Sequence, residues 1–146
     1  MYEIIFLETS KTSITDFENY QAKNIYQMFH LTNLQNARKI LSNGFNPQLS
    51  KRGAFGIGIN LSTTIEDLNP YFDETNNILL TCLVKFNKKK ENFSRKNKNY
   101  WNKFGSTKPN FITPPPGYDA LFNDNIYVIP NKEQVFPLIM SKINFY

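Results

Sequence analysis

The chain has 146 residues, 40% hydrophobic and 20% charged, an ordinary globular balance at a length that suits one domain with a buried core. Its apolar runs fall short of the roughly 20 residues that span a bilayer, so no membrane association is expected, and the compartment is expected to be intracellular, cytoplasmic or nuclear. A single cysteine, Cys82, excludes an internal disulfide.

The net charge is +5, but it is unevenly spread. Lys85 to Lys108 holds nine Lys/Arg against Glu91 alone, and the remainder is acidic by three charges. The basicity therefore belongs to one segment and not to the fold.

Taken in order, Tyr2–Leu7 reads as an edge strand; the opening stretch lacks a basic region and is interrupted by Glu8, unlike a signal peptide. Thr15-x-x-Glu18 resembles a capping box, so residues 10–22 are expected to form a short helix or turn. Asn24–Thr32 reads as a strand that ends in the only histidine, His30, followed by Leu31 and Thr32. Asn33 is an N-cap candidate for a helix whose apolar face is Leu34, Ala37, Ile40 and Leu41 and which stops at Gly44. Arg38 and Lys39 are expected to favour its dipole. A loop over 48–56 leads to a strand over Ile57–Ser62, and Thr63 or Thr64 is expected to cap a brief helix ending before Pro70.

Asn77–Phe86 is continuously apolar and reads as a buried strand containing Cys82, which is expected to be a core residue and not a nucleophile. The basic segment follows, by default a solvated loop. Tyr118–Phe122, Asn125–Ile129 and Gln134–Ile143 read as three further strands, with Pro137 arguing for an edge or a bulge in the last. The expectation is an α+β domain of six or seven strands in two small, mostly antiparallel sheets, with one main helix.

Several chemistries lack their residues. One histidine and one cysteine remove most zinc sites, and no metal is expected. There is no G-x-x-x-x-G-K-[ST] phosphate loop and no G-x-S-x-G elbow, although the counts alone leave a Ser-His-Asp arrangement open. A lone histidine at a strand end is by default a hydrogen-bonded structural residue. The spacing of Gly53, Gly56 and Gly58 is by default turn chemistry.

Four stretches in order change that balance. His30-Leu31-Thr32 with the following A-R-K-I-L-S-N-G-F, Gly53-Ala-Phe-Gly-Ile-Gly-Ile-Asn-Leu-Ser62, Tyr118-Asp119-Ala120-Leu121, and Ile126-Tyr-Val-Ile-Pro-Asn-Lys-Glu-Gln-Val-Phe-Pro-Leu-Ile139 together resemble the ADP-ribosyltransferase fold of the poly(ADP-ribose) polymerase type. The likeness spans about residues 24–143. It implies split antiparallel sheets around a central NAD cleft, with NAD as substrate. His30 would bond an adenosine-ribose hydroxyl, the Leu31 backbone would hold the nicotinamide amide, and Thr32 would brace the turn. Tyr71, eleven residues after Asn60, would stack on the nicotinamide, with Gly53 and Gly58 in the loop and strand beneath. Lys51 and Arg52 are pyrophosphate candidates on charge grounds.

The resemblance also implies departures. The family's first triad tyrosine falls on Asn60 and its catalytic glutamate on Ile126, giving an H-N-I set. Leu31 stands where glycine is usual, and Leu68 where a serine is usual. With Ile126 there is no carboxylate to elongate a chain, so polymer synthesis is not expected. The expected activity is transfer of one ADP-ribose to a macromolecular acceptor, protein or nucleic acid. The alternative is an inactive binding module of the same fold. In the basic segment Phe86, Phe93, Tyr100, Trp101 and Phe104 are interleaved with lysines, a combination that also suits single-stranded nucleic acid.

Overall fold

The computed structural model describes residues 1–10, 24–46, 56–92 and 111–146. The expected turn over 10–22, most of the loop over 48–56 and the basic segment beyond Asn92 lie outside these. Eight strands are present: β1 (Tyr2–Thr9), β2 (Ile25–Thr32), β3 (Ile59–Ser62), β4 (Ile78–Lys85), β5 (Lys89–Glu91), β6 (Ala120–Asn123), β7 (Ile126–Ile129) and β8 (Val135–Phe145). They form one sheet in the order β1-β8-β4-β2-β3-β7-β6-β5, antiparallel except for the β5–β6 pair. The architecture is a small α+β domain built on this sheet.

The expected two sheets are joined into one. The join is slender, because β2 and β3 share a single register pair, Phe29 with Ser62. By contrast, β2 pairs with β4 from Ile25↔Lys85 to Thr32↔Ile78. Where two sheets were expected there is one, with a weak seam between two groups of four strands.

One face is covered by α1 (Leu34–Asn43). Asn33 caps it, its Oδ1 accepting from the Asn36 N–H at 2.8 Å, and Gly44 closes it at φ 79° with its N–H on the Ile40 carbonyl at 2.7 Å. Arg38 and Lys39 lie before its last turn, so the expected dipole pairing is not made. Ala37 and Leu41 pack into a core with Met28, Ile59, Leu80, Cys82 and Ile129. Cys82 is fully buried, and that burial pushes its thiol pKa up, away from nucleophile chemistry. On the opposite face Leu68, Leu79 and Ile143 gather Phe29, Leu31, Ile65 and Phe72, and Leu121 and Val128 gather Phe111 and Ile126.

Two local expectations are corrected. The brief helix is a 3₁₀ turn, Glu66–Tyr71, that contains Pro70 and has no side-chain cap; Thr64 Oγ1 instead donates to Asp67 Oδ2 at 2.9 Å. The start of the basic segment is a strand, not a loop. Asp119 accepts from the backbone N–H groups of Asn87 and Lys88 through both carboxylate oxygens, at 2.8–3.1 Å, and this clamp sets β5 alongside β6. Pro137 sits at a register shift between β4 and β8, so the bulge alternative holds in an interior strand.

Gly58 is the most crowded of the described glycines. Its φ is 147°, and a Cβ there would meet the Ile129 carbonyl oxygen at 2.7 Å and Val128 Cγ1 at 2.9 Å. Gly58→Ala is expected to lower stability by about 3 kcal/mol, combining backbone strain with overpacking. Gly44→Ala, with nothing within 4 Å of the new atom, should cost about 1 kcal/mol. Denaturant titration of the two variants distinguishes these outcomes.

Candidate functional site

Beyond the Phe29–Ser62 pair, β2 and β3 stop exchanging backbone bonds. His30 occupies that gap on the α1 face, where its Nδ1 lies 2.7 Å from the Asn60 carbonyl oxygen. A carbonyl only accepts, so Nδ1 carries the proton and Nε2 of the neutral ring is a bare acceptor. Phe45 meets the ring edge-on at 5.1 Å and 88°. Burial lowers the His30 pKa below its ordinary 6.5, against a smaller upward pull from the Asn60 carbonyl. The ring is therefore neutral at physiological pH.

His30 lines a cleft of about 440 Å³ with Thr32 from β2, Asn36, Lys39 and Asn43 from α1, and Gly58 and Asn60 from the facing chain. A second hollow, about 570 Å³, adjoins it across Asn43–Asn46 and reaches Pro130–Glu133. Volumes of this size suit small-molecule portions. The polar lining, one lysine and several amides, provides donors for phosphate and hydroxyl groups, while Nε2 provides an acceptor for a hydroxyl. Sequence reading missed Asn36, Lys39 and Asn43, because their spacing looks like the solvated side of any amphipathic helix.

The expected site residues divide into groups. His30, Thr32, Gly58 and Asn60 meet at the cleft. Lys51, Arg52 and Gly53 lie outside the described residues. Leu31 turns to the opposite face and packs in the apolar cluster with Leu68, Ile65 and Phe72. Ile126 lies on that face with Leu121 and Val128. Tyr71 ends the 3₁₀ turn, half exposed, and its phenol pKa is raised first by burial and then by the charge of Asp67. Asn60 is opposite Val128 in register, so its side chain belongs to this second face, where its Oδ1 is buried without a partner.

A polar group, of which sequence reading singled out only Thr63 or Thr64 as helix caps, stands beside Ile126. Asn125 Nδ2 donates to Asp67 Oδ2 at 2.7 Å, Thr63 Oγ1 donates to Asn125 Oδ1 at 3.1 Å, and the Thr63 N–H reaches the Asn125 carbonyl at 2.9 Å.

Lys88, Lys89 and Lys90 of the basic segment lie over rings. Lys89 Nζ donates to Tyr127 Oη at 2.8 Å and lies 4.5 Å from the centre of the Phe122 ring, while Lys88 lies 4.7 Å from that of Tyr118. Among the described residues, no group of three or more His, Cys, Asp or Glu side chains is arranged to hold a metal ion, and no helix is long and apolar enough to cross a membrane. Neither protein-family models nor curated proteins give a match to the chain.

The His30 geometry has a pH consequence. The unfolded chain takes up a proton as pH falls through 6.5, whereas the folded chain resists it until the lower folded value is reached. Stability is thus full above 6.5 and falls across the window below it, by about 1.4 kcal/mol for each unit by which the pKa is lowered. In His30→Gln this part of the acid-side slope should vanish, as measured by denaturant titration between pH 4 and 8 (roughly the span in which histidine groups titrate).

Proposed function

We propose that the chain is an ADP-ribosyltransferase-type domain that cleaves NAD at the nicotinamide–ribose bond and transfers one ADP-ribose to a macromolecular acceptor. The observation carrying this reading is His30: a neutral imidazole, oriented by the Asn60 carbonyl and offering Nε2 as an acceptor in a polar cleft. A ribose hydroxyl is the natural donor to such an atom. Lys39 supplies positive charge on the same cleft wall, and the adjoining hollow past Asn46 lengthens the groove toward Lys132, as an extended dinucleotide with two phosphates requires.

In this reading His30 orients the adenosine half, and the sequence resemblance assigns the nicotinamide end to the Leu31 backbone and Tyr71. Ile126 offers no carboxylate to activate an ADP-ribose hydroxyl, so transfer stops at one unit. Protein and nucleic acid both remain acceptor classes, and the compartment proposed is intracellular.

A second reading has its own observation. Leu31 and Leu68 share one apolar cluster, on the side where the resemblance calls for polar contact with the nicotinamide amide. A domain that holds a nucleotide at His30 without turning it over is the function consistent with that packing.

Purified protein incubated with NAD is expected to gain the mass of a single ADP-ribose or to release nicotinamide. His30→Ala should reduce either signal on the order of 10²-fold through lost orientation. Folded protein that binds NAD, loses that binding in His30→Ala and releases no nicotinamide would establish the second reading instead.

A further inference from the structure

We propose that the outer edge of β1 is a self-association surface, on which a second copy of this chain lays its own β1 antiparallel to the first and joins the two sheets into one. This pairing is independent of the NAD reading. β1 ends the sheet, with β8 on one side and no strand on the other among the described residues. Eleven large apolar side chains are exposed among those residues, and six of them, Met1, Ile4, Ile5, Phe6, Leu7 and Tyr146, lie along this edge. Ile5 is 58% and Phe6 61% exposed. Apolar side chains scattered singly are ordinary on a protein surface, whereas a contiguous group marks a site of contact. The opposite edge shows the contrast: β5 reads Lys89-Lys90-Glu91, the charged composition that keeps an edge strand in water. Between Glu3 and Glu8, β1 has no charge and no proline.

The hydrogen-bond pattern shows which backbone groups are free. The Tyr146 N–H donates to the Met1 carbonyl at 3.0 Å, and β1 continues from there in antiparallel register, Tyr2↔Phe145 to Phe6↔Ser141. Bonded and non-bonded pairs alternate in such a ladder. Glu3 and Ile5 therefore bond toward β8, while Tyr2, Ile4 and Phe6 point their N–H and C=O groups outward. The register shift between Phe6 and Glu8 ends this straight stretch. The free edge thus runs from Tyr2 to Phe6 and is centred on Ile4.

A two-fold axis beside Ile4 fits this edge to itself. Ile4 then stands opposite Ile4, Tyr2 opposite Phe6 and Glu3 opposite Ile5 of the second copy. Every outward residue meets an outward residue, so each such pair exchanges both of its N–H···O=C bonds. Moving the centre by one residue would set outward groups against inward ones. On the face away from α1, Tyr2, Ile4 and Phe6 make aromatic and aliphatic cross-strand pairs. On the α1 face no carboxylate is directly opposite another. Ile5 is opposite Lys142 in β8, so each Glu3 enters the cross-strand row that holds Lys142 of the other copy. The apolar match and the charge match agree on the same occupant, a second β1.

The His30 cleft stays open in this dimer, because β8, β4 and β2 separate β1 from the seam. A ladder this short belongs to the low end of interface sizes, so association is expected to depend on protein concentration.

Sedimentation equilibrium over a concentration series is run on wild type and Ile4→Lys, with the melting temperature of each. Wild type is expected to rise from 17.1 kDa toward twice that mass. Ile4→Lys sets like charges opposite each other at the centre and should weaken association about tenfold or more, with folding retained. Register is tested by oxidising Ile4→Cys and Tyr2→Cys, in which the buried Cys82 does not compete. Ile4→Cys should form a disulfide between copies, since bonded antiparallel partners lie about 5.5 Å apart at Cα, within disulfide reach. Tyr2→Cys should not, because its counterpart is displaced along the strand by roughly 13 Å. A wild type that stays at 17.1 kDa at millimolar concentration overturns the proposal. So does association that Ile4→Lys leaves unchanged, or equal cross-linking of the two cysteine variants. Should Ile4→Lys fail to fold, the cysteine pair decides alone.

Discussion

The single register pair between Phe29 and Ser62 is the constraint on which the rest of the molecule turns. On one side of it stand β1, β8, β4 and β2, and on the other β3, β7, β6 and β5. A longer ladder would have closed the edges of β2 and β3 against each other and left no room for the cleft beside His30. With one pair, the backbone groups beyond it need other partners, because a buried polar group without one is costly. The Asn60 carbonyl takes the His30 imidazole as its donor. The same hydrogen bond satisfies the backbone, chooses the tautomer and presents Nε2 to the cleft. Gly58 adds to this, since only a residue without a side chain lets the chain pass so close to the Ile129 carbonyl at the start of β3.

Local signals in the sequence were readable where local physics decides the structure. Asn33, the Leu34–Ala37–Leu41 spacing and Gly44 specify a capped amphipathic helix from its own residues, and α1 forms over that span. The apolar run around Cys82 likewise forms β4 in the middle of the larger strand group. What resisted reading was set by residues far apart in the chain. The three residues Lys89–Glu91 carry no strand signal, and they become β5 because Asp119 binds the backbone just before them. Lys89 is a surface charge by composition, yet its ammonium is set against Tyr127 and Phe122. Pro70 reads as a stop, but the 3₁₀ turn accommodates it as the next-to-last residue.

The candidate site was legible in the same proportion. His30 and Gly58 could be singled out because a unique histidine and a regular glycine spacing are visible one residue at a time. The cooperation of Asn60 with His30 runs through a backbone carbonyl, which no side-chain pattern reports. The pairing of Asp67 with Asn125 was hidden for a related reason: the two residues lie 58 positions apart, and only Thr63 and Thr64 beside Asp67 carried a local signal, as helix caps.

The two faces of the sheet then differ in what they can do for a charged reaction. The α1 face provides a neutral imidazole, amides and a lysine, groups suited to recognising hydroxyls and phosphates and too weakly charged to stabilise a cation. The opposite face is apolar around Leu31, Leu68 and Ile126, but it carries Asp67 and the unpartnered amides of Asn60 and Asn123. An apolar surround strengthens a fixed carboxylate, because fewer water dipoles screen it. Thr64 and Asn125 hold the Asp67 carboxylate beside that face.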